Sequence, residues 1–195
     1  MSLLLYLNQI NNNLCKISDN DDIIEYYLFL TTEYLKYNEI TPQFETYLTS
    51  RYSELIKYLG KQCLCRTTLN LIKAICDLGE GIFTQMITKG IISDLVFYYL
   101  EYRKLSNSLS QYDRFYLLIL CCALLNNFDG TDSEHYKTQF VTEIRDHKVY
   151  DDISSALQNT KSIMPNEIIF IIDLINELFT IDHSNGPVEF YELNQ

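Results

Sequence analysis

The chain has no tryptophan, only six glycines and three prolines in 195 residues, and three histidines. All-β sandwiches and barrels turn roughly every 8–12 residues and use glycine and proline to do so; this chain has too few of either. The scarce breakers are widely spaced, which suits helices. Basic residues are also short, 15 against 26 acids for a net charge of −11. That balance argues against general binding to a phosphate backbone, which needs clustered Lys and Arg. Long hydrophobic runs are missing too. The longest uncharged apolar stretch, Phe115–Leu125, is far below the about 20 residues that span a bilayer. The apolar start MSLLLYL has no basic flank and is too short for a secretory signal.

What is present is apolar residue at helical spacing. Hydrophobic residues make up 47% and charged residues 21%, the balance of a folded globular chain. The charge is uneven. Residues 1–50 hold seven acids and two bases, residues 51–104 five acids and eight bases, and residues 105–195 fourteen acids and five bases. A mildly basic middle lies between acidic flanks. The six cysteines include Cys76, Cys121 and Cys122 inside apolar helical runs, where a reduced thiol acts as a small hydrophobe. A reducing compartment, cytoplasmic or nuclear, follows as the expectation.

Taken in order, Leu3, Leu4, Leu7, Ile10 and Leu14 predict a helix over 2–14. The polar break Ser18–Asp22 offers N-caps for a helix Ile23–Tyr37. Thr41-Pro42 reads as N-cap and first helical residue of a helix continuing through Leu59 to Gly60. Lys61–Arg66 reads as a short connector or as a helical stretch of its own. Thr67 or Thr68 would cap Leu69–Leu78, whose apolar residues on most sides predict a central helix. A short helix around Phe83–Ile87 stops at Gly90, and Ile91–Lys104 follows. Ser106–Ser110 is a linker before the most apolar helix, Gln111–Asn127. The pattern then returns as Tyr136–Ile144, Val149–Leu157 and, after the loop Gln158–Met164, a helix from Pro165 or Asn166 to Phe179. The division expected is a helical domain over 1–182 and a polar tail over 183–195.

This order resembles an armadillo or HEAT-type repeat protein. FTQMITKGIISDLVFYYL is similar to the short first and second helices of an armadillo repeat, with Gly90 in the turn. SQYDRFYLLILCCALLNN is similar to the long third helix, LNLIKAICDLGEG to the third helix before it, and YKTQFVTEIRDHKVYDDISSAL with NEIIFIIDLINELF to one more repeat. Third-helix ends near Leu78, Asn127 and Phe179 lie about fifty residues apart, somewhat above the usual 40–47, with the linkers taking the excess. The resemblance implies an all-α fold: a short right-handed α-solenoid of about three three-helix repeats with helical caps. It implies that third helices line a concave surface. The family's peptide-binding Asn position falls on Asp77, Asn126 and Asn176, and its Trp position on Lys73, Cys122 and Ile172. With every Trp replaced, recognition of basic localisation-type peptides is not what the resemblance supports here.

Signatures of chemistry are few. There is no phosphate-binding glycine loop, dinucleotide fingerprint or HExxH. Cys63-Leu64-Cys65 could offer two thiolates, but structural zinc needs four ligands and nothing supplies the second pair. Asp146-His147 and Asp182-His183 look like fragments of an acid–base pair without a nucleophile, and His135 is alone. Acid pairs such as Asp21-Asp22 and Asp151-Asp152 sit at helix starts, where capping accounts for them. Tyr98, Tyr102 and Arg103 could form an aromatic and basic patch of the kind enriched in binding hot spots; the competing reading is that the aromatics, Phe97 and Tyr99, serve to seal the helix against its neighbours. Tyr52, Lys57, Tyr58 and Lys61 form a lesser one.

The expectation is a non-enzymatic scaffold or adaptor with no cofactor and no metal. It would hold a protein partner through Lys73, Asp77, Asn126 and Asn176, with Tyr98, Tyr102 and Arg103 as a second contact, and bind neither nucleic acid nor membrane. The alternative is a compact helical-bundle regulator built round Phe115–Leu125 that takes a partner helix in a hydrophobic groove. A helical hydrolase using His135 or His147 is the remaining class.

Overall fold

The computed structural model describes residues 20–37, 40–105, 110–158 and 165–183. The expected helix 2–14, Cys15, most of the Ser106–Ser110 linker and the tail beyond His183 lie outside the described residues. Those residues form ten α-helices and, among them, no strand. In order these are α1 (Asp21–Tyr37), α2 (Pro42–Ser50), α3 (Tyr52–Leu59), α4 (Gln62–Cys76), α5 (Glu80–Thr88), α6 (Ile91–Lys104), α7 (Gln111–Asn126), α8 (Ser133–Asp146), α9 (Val149–Gln158) and α10 (Pro165–His183). The fold is all-α. No helix among the described residues is long and apolar enough to cross a membrane. The chain divides into two compact units, Met1–Lys89 and Gly90–Gln195.

The first unit is built on α4. Leu64, Cys65, Thr68, Leu69, Leu71, Ile72, Ile75 and Cys76 are buried, and α1, α3 and α5 pack around them. This helix begins at Gln62, so Lys61–Arg66 is its helical first turn, the second of the two expectations for that stretch, and neither threonine is a cap. Thr68 is buried, and its hydroxyl donates at 2.8 Å to the Leu64 carbonyl one turn earlier. A threonine can cap a helix or bond back into one; the apolar period reaching back to Leu64 selects the second. At the start of α1, Asn20 Oδ1 accepts from the Asp22 amide at 3.1 Å.

The expected single helix from Pro42 to Leu59 is two. Thr41 and Pro42 start α2 as anticipated, the Thr41 side chain accepting from the Phe44 amide. The helix stops at Ser50, and Arg51 sits between α2 and α3 at φ −87°, ψ 4°. Thr49 donates to the Glu45 and Thr46 carbonyls at 3.2 Å, and Ser50 to the Tyr47 carbonyl at 2.7 Å.

The second unit is built on α7. Phe115, Leu117, Leu118, Leu120, Cys121, Cys122, Leu124 and Leu125 are all buried, and α6, α8 and α10 pack on this helix. Ser110 caps it, its Oγ accepting from the Asp113 amide at 3.1 Å. Gly90 precedes α6 at φ 94°, ψ 24°, the left-handed region open to glycine. The α8–α9 turn passes through Lys148 at φ 54°, and Arg103 of α6 donates to the neighbouring His147 carbonyl.

Candidate partner-binding groove

In the first unit, α1 and α4 run in the same direction. Near their starts Lys61 Nζ meets Asp21 Oδ1 at 2.6 Å, and the Thr67 hydroxyl donates to Glu25 at 3.2 Å. Further along, the helices leave a groove of ≈ 570 Å³, within the usual range of about 300–1,000 Å³ for ligand sites. The buried Thr32 and Leu35 from α1 and the half-buried Ala74 and Leu78 from the α4 side line its apolar part. Its rims carry two ion pairs: Lys36 with Glu33 at 2.6 Å on α1, and Lys73 with Asp77 at 2.8 Å on α4. The Glu33 carboxylate, by accepting from Lys36, raises that ammonium's pKa above its ordinary value. Phe29, 51% exposed, and Asn70 complete the wall.

Lys73 and Asp77 therefore stand together on this groove, with side chains 50% and 62% exposed. The remaining expected contacts fall in the second unit. Asn126 Nδ2 donates to Glu177 of α10, so this amide is engaged within the fold. Asn176 is exposed, and its carbonyl accepts from Thr180 at 2.9 Å. Cys122, at a Trp position of the resemblance, is fully buried, whereas Ile172 is exposed.

The aromatic patch on α6 is placed differently from the expectation. Tyr102 is only 4% exposed and offers no ring face to a partner, while Phe97, expected to seal inward, is 54% exposed and packs edge-on against Tyr98. The helix is rotated relative to that reading because Leu95, Val96, Tyr99 and Tyr102 form its buried face. Arg103 Nε lies 3.0 Å from Asp152 Oδ2, which also accepts from Tyr99. Of this patch, Tyr98 and Arg103 are left partly at the surface. In the lesser patch, Lys61 is taken by Asp21.

Cys63 is exposed while Cys65 and Cys76 are buried, and burial pushes the Cys76 thiol up to about 12. Among the described residues no group of three or more His, Cys, Asp or Glu side chains could hold a metal ion. His135 and His147 are exposed.

Phe29, Glu33, Lys36 and Asn70 were missed in the sequence. A signal for Asn70 exists: Asn70, Lys73 and Asp77 are spaced i, i+3, i+7 as a polar exposed stripe on an otherwise apolar helix. The α1 wall has no such signal, since it depends on which helix lies beside α4. No protein-family model, curated protein or solved structure matches the chain.

Proposed function

We propose that this chain is a non-enzymatic scaffold or adaptor that holds a segment of a protein partner in the groove between α1 and α4. The observation that carries the reading is the groove itself: two long parallel helices leave an open, half-apolar channel rimmed by exposed charges, Lys73 and Asp77 among them. Shape, an apolar floor and a polar rim are what a docking site requires.

The architecture proposed with it is a short right-handed solenoid of armadillo-like repeats, grouped α2-α3-α4, α5-α6-α7 and α8-α9-α10, with α1 as the long helix of a preceding turn. Two features support this grouping. In the first unit α1 lies along α4 with two short helices between them in sequence. In the second, α7 lies along α10 in the same sense, Tyr112 stacking near Phe170 at 4.1 Å and Asn126 meeting Glu177. The partner would be met in the cytoplasm or nucleus. A compact bundle round α7 is the competing reading, favoured by the burial of that helix among α6, α8 and α10. Small-angle scattering separates the two, since a stacked solenoid is elongated and a bundle is not.

The binding role is tested by affinity capture and mass spectrometry with the wild type and with Lys73→Ala/Asp77→Ala. The double variant should melt within a degree or two of wild type, because an exposed i,i+4 pair contributes about 0.3–0.5 kcal/mol, and should lose the captured partner. Identical capture by both chains would sink the groove reading.

A further inference from the structure

The charges on the groove are ordered, and the order selects a class of partner. On α1 the anion Glu33 precedes the cation Lys36; on α4 the cation Lys73 precedes the anion Asp77. The helices run in the same direction, and the contacts Asp21–Lys61 and Glu25–Thr67 set their register at an offset of 40 and 42 residues. Carried along the helices, this offset sets Glu33 level with positions 73–75, beside Lys73, and Lys36 level with positions 76–78, beside Asp77. Each level carries opposite signs across the channel, and each wall carries opposite signs along it.

A partner bearing one sign of charge meets attraction and repulsion in equal measure on both walls, and like-charge juxtaposition is a strong discriminator at interfaces. A partner that lies against one wall with a base and an acid about one helical turn apart gains on both levels of that wall, while the charges of the opposite wall, farther off across the channel, are weakened by distance and solvent screening. That distance, three to four residues at ~1.5 Å rise, equals about two residues of extended chain. The rim pairs are well exposed, so exchanging their present partners for new ones costs little. The floor of Thr32, Leu35, Ala74 and Leu78 takes an apolar side chain beside those charges.

We propose, resting on the groove reading above, that the α1–α4 channel selects mixed-charge peptide segments: one basic and one acidic residue about two extended positions apart, flanking an apolar anchor, with runs of a single sign rejected.

The test uses the full chain and a phage-displayed library of random heptapeptides. Selections run on wild type, on Ala74→Trp, which fills the channel, and on Lys73→Glu, which leaves three anions and one cation on the rim. All three are checked for helicity and melting first. Wild type should enrich mixed-charge peptides that Ala74→Trp does not retain, and Lys73→Glu should shift the enriched set toward basic peptides. A synthetic consensus peptide should bind at least tenfold tighter than analogues in which both charges are made lysine or both glutamate. Enrichment of single-sign peptides that still depends on an open channel would overturn this inference and leave the groove reading intact. Enrichment indifferent to Ala74→Trp, or none at all, would overturn both; should Ala74→Trp misfold, the Lys73→Glu shift and the analogue ratios decide.

Discussion

The Tyr99 hydroxyl donates a 2.7 Å hydrogen bond to Asp152 Oδ2, tying α6 to α9. Arg103, one turn further along α6, reaches the same carboxylate oxygen at 3.0 Å. Tyr99 is buried, so its hydroxyl needs a partner, and the ring stacks on Phe115 of α7. The pair thus links three helices of the second unit.

Tyr99→Phe keeps the ring and removes the donor. The half-buried Asp152 retains Arg103, so the loss should be about 1–2 kcal/mol. Urea denaturation should show a lower midpoint with an unchanged slope. Arg103→Ala should destabilise as well, through both Asp152 and the freed His147 carbonyl. The double variant should lose less or more than the sum of the two, because neighbours sharing one acceptor are coupled by about 0.5 kcal/mol or more. Strict additivity would show that the two bonds act independently.

Alkaline pH should unfold the chain. Burial raises the Cys76 thiol from an ordinary 9.0 to about 12, with Asp77 adding to the shift. Burial likewise raises Cys121 and Cys122. Tyr99 is raised by burial and then by Asp152, and Tyr27 by burial and then by its contact with Tyr47. In each case the native state holds a proton that the unfolded chain releases, so stability from these groups is complete below the unfolded pKa and declines above it. The decline should begin near pH 9 with the thiols and steepen above pH 10 with the tyrosines, at up to about 1.4 kcal/mol per pH unit for each group. Melting temperature followed from pH 7 to 11 checks this; a flat profile to pH 11 would show that the thiols are not buried as described.

Gly90 should tolerate asparagine better than alanine. Its φ of 94° is left-handed, and nothing lies within 4 Å of where a Cβ would stand, so the penalty is one of backbone conformation alone. Gly90→Ala should cost about 1–2 kcal/mol, and Gly90→Asn less, since Asn visits this region more readily. Equal stability of glycine and alanine variants in urea melts would mean that the α5–α6 turn has another geometry.

Much of the helical layout was legible in the amino-acid order. The i, i+3, i+4 spacing of apolar residues marks α1, α6, α7 and α10 within a few residues, and the scarcity of polar positions marks α4 and α7 as the buried helices, because only burial on most sides keeps such helices out of water. Thr41-Pro42 and Gly90 are local conformational requirements, so they too could be read without neighbours. The break at Ser50 and the early start of α4 could not, since a Thr or Ser hydroxyl serves equally as a cap or as a back-bond. On α6 the spacing of Ile92, Leu95, Val96 and Tyr99 marks the inward side, but the placing of Phe97 and Tyr102 was not read from it, and packing buries Tyr102 while leaving Phe97 outside. The groove belongs wholly to this second kind. Lys73 and Asp77 are an ordinary exposed pair on one helix, and they become the edge of a channel only because tertiary packing sets α1 beside α4, parallel, with Glu33 and Lys36 facing them in reversed order.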